Sequence, residues 1–234
     1  MTPGPGDGAT IVTGGTGGLG RGVVRALVDA GHEVVVTWVT ERELEGVPAD
    51  LRERCRFERV DVLSPDDLAA LVESCGPEGV WALVHLVGGY HDGDPVAEMD
   101  LDAWDRQFAL NARSAALTLR AVLPGMVARG RGRTVAVGTR AALRPFAGAS
   151  AYAASKAAVL ALVSAASEEV KRDGVCVNAV LPSVIDTPAN RAANPDADPS
   201  AWVRPEEIGA VIAFLCSPAA SAVTGAAIPV YGRA

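Results

Sequence analysis

The sequence predicts an α/β protein built on one doubly wound parallel sheet of about seven strands, flanked by helices. Short apolar runs rich in β-branched residues recur along the chain, and they are continuous rather than alternating with polar residues. Segments with helical spacing separate these runs. Continuous apolar strands connected by helices are typical of a parallel sheet that is covered on both faces. No internal repeat or low-complexity linker divides the chain, so we expect a single domain over residues 1–234.

The predicted elements alternate in order along the chain. The strand candidates are residues 9–15, 33–39, 55–62, 79–89, 132–140, 174–182 and 226–232. Amphipathic spacing predicts a helix over 21–30, and the next helix starts after Ser64, which can cap it, with Pro65 at its first position. Further helices are predicted over 100–130, 150–173 and 205–217.

Composition excludes several classes of protein. The net charge of −7 and the lack of a basic stripe argue against a nucleic-acid-binding surface. No uninterrupted apolar run reaches the roughly 18–20 residues of a membrane span. Residues 1–8 lack the regions of a signal peptide and are predicted to be a flexible leader. The four cysteines are scattered and the histidines do not cluster, so we expect a cytoplasmic protein without disulfides or a metal site.

A glycine-rich segment, Thr13-Gly-Gly-Thr-Gly-Gly-Leu-Gly20, joins the first strand to the first helix. Glycines let the backbone approach a ligand closely, and a helix N-terminus presents free N–H groups to an anion. After the first strand of a βαβ unit, this pattern indicates a dinucleotide pyrophosphate site of the Rossmann type. A turn needed only for tight packing is the alternative.

Five motifs in order carry a family resemblance. They are the glycine-rich segment, Asp61-Val62 after the third strand, Asn111, Tyr152-x-x-x-Lys156, and the run Leu181-Pro-Ser-Val-Ile-Asp-Thr-Pro188. Together they resemble the classical short-chain dehydrogenase/reductase family over nearly the whole chain. The stretches 137–159 and 181–202 are most similar to its dihydropteridine-reductase-like branch.

The resemblance implies an NAD(P)-dependent oxidoreductase that transfers a hydride between the nicotinamide and a carbonyl or alcohol. It implies that the catalytic residues are Asn111, Thr139, Tyr152 and Lys156. It implies cofactor contacts from Gly14, Thr16, Gly17, Gly18, Leu19, Gly20, Trp38, Arg42, Asp61, Val62, Val87, Gly88, Tyr152, Lys156, Pro182, Val184, Ile185 and Thr187.

The pair Tyr152 and Lys156 also has a physical rationale of its own. A free tyrosine has a pKa of about 10 and exchanges protons poorly near neutral pH. Residues four apart lie on one face of a helix, so the Lys156 ammonium can lie near the phenol and lower its pKa. Tyr152 is therefore predicted to be the proton donor and acceptor. An ordinary packed tyrosine and a solvated lysine are the alternative.

The chain departs from the family pattern at two places. The family has a serine thirteen residues before the tyrosine, where this chain has Thr139; its hydroxyl can still hydrogen-bond a substrate oxygen, although its side chain is stiffer. The segment after the fourth strand is normally Asn-Asn-Ala-Gly and here reads His85-Leu-Val-Gly88. We expect His85 to be a core histidine. The resemblance implies that Asn111 opens its helix locally and extends a proton relay from Lys156.

The choice of cofactor depends on the end of the second strand. An acidic residue there binds the ribose of NAD, whereas a basic residue accommodates the phosphate of NADP. Trp38 occupies that point and Arg42 follows it, although Glu41 opposes a phosphate. We therefore expect NADP(H) to be favoured over NAD(H).

The substrate is predicted to be a small carbonyl or alcohol compound of the ketone, quinone or quinonoid pterin type. Residues 186–204 are predicted to be a substrate lid, with Trp202 as an apolar wall, and Tyr90, His91, Arg140 and Arg144 could line the pocket. The resemblance implies a homodimer or homotetramer. Two alternatives stay open: a cofactor-binding sensor or accessory subunit with weakened chemistry, and an isomerase or dehydratase on the same fold.

Overall fold

The computed structural model describes residues 4–233, in which seven strands form one sheet. The strands are β1 (Ala9–Thr13), β2 (Val34–Trp38), β3 (Arg56–Arg59), β4 (Val80–His85), β5 (Gly132–Val137), β6 (Val175–Pro182) and β7 (Ala227–Val230). Their order in the sheet is β3-β2-β1-β4-β5-β6-β7, and each neighbouring pair is parallel. The predicted fold class and the strand positions are confirmed.

Helices cover both faces of the sheet. They are α1 (Gly18–Asp29), α2 (Arg42–Glu45), α3 (Ala49–Arg54), α4 (Pro65–Ser74), α5 (Leu101–Phe108), α6 (Ser114–Ala128), α7 (Ser150–Val170), α8 (Pro188–Ala193) and α9 (Pro205–Leu215). Short 3₁₀ helices span Val96–Glu98, Arg140–Ala142, Lys171–Asp173, Pro199–Ala201 and Pro218–Ala220. One buried cluster packs α4, α6 and α7 on the sheet, and a second packs α1, α3 and α9 on the opposite face. Both faces of the strands are therefore buried, which is why their sequences are continuous apolar runs.

The strand order reverses between β1 and β4, because the chain adds β2 and β3 on one side of β1 and then returns to its other side. In doubly wound sheets, ligands bind in the crevice outside the carboxyl ends of the strands at such a point. The loops after β1, β4, β5 and β6 all emerge at this edge. Most of the predicted site residues lie on those loops.

Some helices differ from the prediction. The expected helix over 100–130 is interrupted by a π-helical turn, Ala109–Arg113, which separates α5 from α6. The short helices α2, α3 and α8 were not predicted, since four to six residues are too few to show a helical period. The prediction for α4 is confirmed: the Ser64 hydroxyl accepts a hydrogen bond from the Asp67 amide at 3.2 Å.

The N-terminus is described in part. Residues 1–3 of the predicted flexible leader lie outside the described residues. Among the others, the Asp7 amide donates to the Gly4 carbonyl at 2.9 Å, and Arg131 donates to the Asp7 carbonyl at 3.3 Å. This part of the leader is therefore folded back on the protein as a turn.

One helical segment of the described chain, Ser150–Asp173, is long and apolar enough by composition to cross a membrane. Its mean hydropathy over an 18-residue window is 1.2. Polar residues such as Ser155, Lys156 and Ser164 interrupt its apolar residues. Val159, Val163 and Ala166 of the segment are buried in the core against the sheet. This is the pattern of a core helix.

Candidate active site

The loop between β1 and α1 brings backbone close to the crevice. Gly14 has a φ of +70°, and a Cβ at this position would lie 3.1 Å from the backbone nitrogen of Val87 after β4. Helix α1 follows from Gly18, and no side chain within residues 4–233 caps it at Gly17. The first-turn N–H groups, which include those of Leu19 and Gly20, are therefore available to an anion. The loop thus fits the pyrophosphate of a dinucleotide.

Three predicted catalytic residues meet beyond the end of β5. Tyr152 and Lys156 lie one turn apart on α7, and Thr139 follows β5. The Lys156 ammonium donates to the Val137 carbonyl at 2.8 Å, and the side chain is buried. The Thr139 hydroxyl accepts from the Ala141 amide at 3.3 Å and also hydrogen-bonds Tyr152. The structure therefore holds these three side chains in one place.

Burial determines the protonation of this group. It raises the pKa of the Tyr152 phenol, and the hydrogen bond with Thr139 only partly opposes that increase. Burial also lowers the pKa of Lys156 to about 8. The sequence argument expected the Lys156 charge to lower the pKa of Tyr152, but in the protein alone the shift has the opposite direction. Desolvation of the charged phenolate is the larger effect.

Asn111 lies in the π-helical turn and connects three parts of the site. Its side-chain oxygen accepts from the Gly89 amide at 2.9 Å, and its nitrogen donates to the Gly89 carbonyl at 3.1 Å. The same nitrogen donates to Gln107 at 3.2 Å and to the Ser155 hydroxyl at 2.9 Å. Asn111 thus connects the loop after β4 to α7, and the helix is locally open there.

Gly88 lies between these groups. A Cβ at this position would lie 2.6 Å from the Asn111 side-chain oxygen and 2.9 Å from the Lys156 ammonium nitrogen. Neither distance is compatible with a real side chain. Any larger residue would therefore force the Asn111 or Lys156 side chain to move where the loop after β4 passes them.

His85 is a core residue, as expected. Its Nδ1 lies 2.9 Å from the Thr13 hydroxyl and 3.3 Å from the Thr118 hydroxyl, and its Nε2 lies 3.0 Å from the Ser114 hydroxyl. Burial, and then the Lys156 charge, lower the pKa of His85 to about 3. It is a neutral residue that joins β1, β4 and α6 beneath the site.

The segment after β6 passes next to the glycine-rich loop. Pro182 is buried at the end of β6 and Val184 is exposed, while Ile185 forms a bridge with Val203. Thr187 caps α8, and its Cβ lies 3.0 Å from where a Cβ of Gly18 would be. This contact connects the predicted lid to the N-terminus of α1.

The residues predicted to contact the adenosine half of the cofactor differ in how exposed they are. Trp38 ends β2, and Arg42 in α2 is exposed. Asp61 is exposed and accepts from the Leu63 amide, whereas the Val62 side chain is buried in the core. Only the backbone of Val62 is therefore available to a ligand.

Sequence reasoning missed Glu43. Its carboxylate accepts a hydrogen bond of 3.0 Å from the hydroxyl of Thr16, which lies in the glycine-rich loop. The pattern Thr40-x-x-Glu43 has capping-box spacing, which could have indicated a fixed carboxylate after β2. An acidic residue is thus present near the end of β2, although Trp38 occupies the expected position.

The predicted pocket residues do not form one group. The Tyr90 ring packs edge-on against Tyr152, with centroids 4.9 Å apart and planes at 80°. His91 is 3.3 Å from Asp94, and the Arg140 guanidinium lies 5.3 Å from the Tyr231 ring centroid. Trp202 lines a separate cavity in the predicted lid with Asp198 and Gly232, and Arg144 is exposed. Of these residues, Tyr90 packs directly against a predicted catalytic residue.

No group of three or more His, Cys, Asp or Glu side chains in the described part of the chain is arranged to hold a metal ion. The buried polar groups at the crevice instead hydrogen-bond one another and the loop backbones. The arrangement suits a bound organic cofactor and proton transfer.

Comparison with known proteins identifies the family. A family model described as enoyl-(acyl carrier protein) reductase matches residues 14–232. The cis-4-hydroxycyclohexanecarboxylate dehydrogenase of Sinomonas cyclohexanicum is 34% identical over 95% of this chain and 94% of its own length. The 3-oxoacyl-(acyl-carrier-protein) reductase of Vibrio cholerae is 29% identical over 95% of each chain. A short-chain type dehydrogenase/reductase from Mycobacterium ulcerans superimposes with a TM-score of 0.89 at 29% identity, over 96% of this chain and 88% of that one.

The protein is therefore an oxidoreductase of the doubly wound, dinucleotide-binding type. It belongs to the classical short-chain dehydrogenase/reductase family and is an NAD(P)-dependent enzyme.

Proposed function

We propose that this enzyme interconverts a carbonyl compound and the corresponding alcohol, with Tyr152 as the proton donor and acceptor. The observation that carries the proposal is the convergence of Thr139, Tyr152 and Lys156 at the carboxyl end of β5, with the Lys156 ammonium next to Gly88 after β4. A small substrate in the crevice would face one phenol, one hydroxyl and one buried ammonium.

Each side chain has a defined part in this proposal. The Tyr152 phenol donates its proton to the carbonyl oxygen during reduction and takes it back during alcohol oxidation. The Thr139 hydroxyl hydrogen-bonds the same oxygen and positions it. Lys156 stabilises the phenolate and, with Asn111, continues the proton path. The nicotinamide, when bound, supplies or accepts the hydride.

The cofactor would extend along the crevice. The backbone of Gly14 to Gly20 would hold the pyrophosphate, while Val87, Gly88 and the segment from Pro182 to Thr187 would contact the nicotinamide half. Lys156 would also reach the adjacent ribose. The preference for NADP(H) predicted from the end of β2 stays a prediction, and the position of Glu43 speaks against it.

The substrate class we propose is a ring-shaped ketone or its alcohol, including quinones and quinonoid pterins. Tyr90 supports this class because its ring adjoins Tyr152 and offers an aromatic surface to a flat or cyclic substrate. Named relatives act on cyclic compounds: one is a cis-4-hydroxycyclohexanecarboxylate dehydrogenase and another a 3-alpha-(or 20-beta)-hydroxysteroid dehydrogenase. The proposal includes membership of this chain in the dihydropteridine-reductase-like branch of the family.

Residues 186–204 would act as the substrate lid. We also propose a homodimer or homotetramer, supported by an exposed apolar groove between α6 and α7 that is lined by Leu123, Val127 and Leu162. A cytoplasmic location is proposed from the lack of any predicted disulfide.

The test of the proposed function combines cofactor binding with turnover. Purified protein is titrated with NADH and NADPH by nicotinamide fluorescence, and is then assayed with cyclic ketones, quinones and a quinonoid pterin. We expect at least one cofactor to bind and to be oxidised by a cyclic carbonyl compound. Tight binding without turnover of any compound would favour the cofactor-binding sensor or accessory subunit, and conversion of a substrate without net change in cofactor would favour an isomerase or dehydratase.

A further inference from the structure

Glu43 is fixed by hydrogen bonds from two different loops. One oxygen, Oε1, accepts from the Thr40 amide at 2.9 Å, the Thr40 hydroxyl at 3.1 Å and the Val39 amide at 3.3 Å. The other oxygen, Oε2, accepts from the Thr16 hydroxyl at 3.0 Å. The carboxylate therefore spans from the loop after β2 to the glycine-rich loop after β1.

A helix-capping role explains only the first oxygen. In a capping box, a glutamate three residues after a threonine accepts a hydrogen bond from the backbone amide of that threonine. The contacts of Oε1 are of this kind. The contact of Oε2 with Thr16 does not stabilise α2 and holds the second oxygen beside the cofactor loop.

Burial raises the pKa of Glu43, but the hydrogen bonds from Thr40, Thr16 and Val39 together lower it below the ordinary value. The side chain is consequently ionised at neutral pH. A carboxylate oxygen has about two acceptor sites, and Oε2 uses one of them for Thr16. The second site of Oε2 can accept a hydrogen bond from a ligand.

The position of this oxygen matches the ribose end of a dinucleotide. In doubly wound folds, the acid that binds the ribose 2′-hydroxyl lies about 20 residues after the glycine-rich loop. Glu43 lies 23 residues after Gly20, the last glycine of the loop (43 minus 20). A phosphate on that hydroxyl would face an ionised carboxylate at close range, which is unfavourable.

We propose that Glu43 is the residue that determines cofactor specificity, accepting a hydrogen bond from the adenosine ribose and disfavouring a 2′-phosphate, so that NAD(H) is preferred over NADP(H). The inference rests on the proposed function only in assuming that a nicotinamide dinucleotide binds in the crevice. It reverses the expectation drawn from Trp38, because the acid comes from α2 and not from the end of β2 itself.

The arginine side chains next to this loop are compatible with this assignment. The Arg59 side chain donates to the Val39 carbonyl at 3.2 Å, and Arg42 is exposed on α2. The glycine-rich loop, Thr13 to Gly20, contains no basic residue. Arg42 and Arg59 flank the loop after β2 and are the basic side chains tested below.

The experiment measures binding rather than turnover. NADH and NADPH are titrated separately into the wild type, Glu43→Gln and Glu45→Gln, and dissociation constants are obtained from nicotinamide fluorescence. Glutamine also occurs at this place in capping boxes, so Glu43→Gln should keep α2 and the thermal midpoint unchanged. Glu45 is exposed on the same helix, and its variant removes an equal charge.

We expect the wild type to bind NADH at least tenfold more tightly than NADPH. In Glu43→Gln this ratio should fall at least fivefold, mainly through tighter NADPH binding, while in Glu45→Gln it should change less than twofold. The Arg42→Ala and Arg59→Ala variants should not weaken NADPH selectively.

Three results would overturn the assignment: NADPH bound as tightly as NADH by the wild type, an unchanged ratio in Glu43→Gln, or a selective loss of NADPH in either arginine variant. Failure of the wild type to bind either dinucleotide would instead contradict the proposed function and, with it, this inference.

Discussion

Two parts of the active site differ in how firmly the fold holds them. In the relay cluster (Gly88, Asn111, Ser155 and Lys156) the three side chains are buried, although Gly88 itself is exposed, and their polar atoms hydrogen-bond one another or nearby backbone. The mouth, formed by loops 89–95 and 139–149, carries large exposed side chains: Tyr90 is 59% exposed, Leu143 58% and Phe146 49%.

This difference indicates which side chains of the enzyme can be substituted at low cost in stability. A change in the relay cluster leaves a buried polar group without its partner, which costs about 1–3 kcal/mol. A change in the mouth removes contacts that water can replace. Under the proposed function, the proton chemistry is therefore built into the packing, while the substrate preference would depend on side chains that can be exchanged without unfolding the protein.

Replacing Tyr152 by phenylalanine tests the reacting group itself and should have the largest effect. Loss of the phenol should lower kcat about 10²–10⁴-fold, which is the usual contribution of general acid–base catalysis. Cofactor dissociation constants should stay within about twofold, because the ring is retained. Turnover near the wild-type rate would remove Tyr152 from its proposed role, and circular dichroism provides the folding control.

Gly88→Ala tests the tight packing of the relay cluster. The new methyl group would lie 2.6 Å from the Asn111 oxygen, so Asn111 or the loop has to move. Such overpacking should lower the free energy of unfolding by about 1–3 kcal/mol, and kcat should fall with it. Denaturant titration measures the first effect and a steady-state assay the second.

The matched control for Gly88→Ala is Gly6→Ala, where a Cβ would meet nothing within 4 Å. Its stability and kcat should match those of the wild type. If Gly88→Ala behaved like this control, the cluster would be looser than its contacts indicate.

Two variants of Thr139 test the boundary between the two regions, because Thr139 contacts Tyr152 and begins the second mouth loop. Thr139→Val keeps the shape and removes the hydroxyl, and a hydrogen bond to a charged group is worth about 1.5–3 kcal/mol. We expect kcat/KM to fall about tenfold to a hundredfold. Thr139→Ser should retain or exceed the wild-type value, and an active valine variant would make Thr139 a purely structural residue.

Tyr90→Leu tests the mouth and should have the smallest effect. A contact between the Tyr90 ring and a cyclic unsaturated substrate would be worth about 0.5–1.5 kcal/mol, so KM for such a substrate should rise about twofold to tenfold with kcat nearly unchanged. Tyr90→Phe keeps the ring and should behave like the wild type. A large loss of kcat in Tyr90→Leu would mean that Tyr90 belongs to the catalytic machinery and that the mouth is less tolerant than proposed.

The sequence predicted the features whose residues lie close together along the chain. The strands, the glycine-rich loop and the pair Tyr152 and Lys156 were all predicted, since each depends on residues within one or two turns of one another. The Ser64 cap was predicted for the same reason. The local opening at Asn111 was inferred from the family resemblance, and the π-helical turn now accounts for it.

The features that were missed all join distant parts of the chain. Glu43 meets Thr16 across 27 residues, and Asn111 meets Ser155 across 44. The direction of the pKa shift of Tyr152 was also missed, because it depends on burial by elements far away in sequence.

The sequence by itself thus determined the fold, the family and the candidate catalytic side chains, because apolar periodicity and short motifs encode local geometry. The tertiary structure decided what surrounds the candidate site: which carboxylate lies beside the glycine-rich loop, which ring lies against Tyr152 and which charges are buried. Those properties arise only when the carboxyl ends of β1, β4, β5 and β6 meet at one edge of the sheet and their loops exclude water from the groups between them.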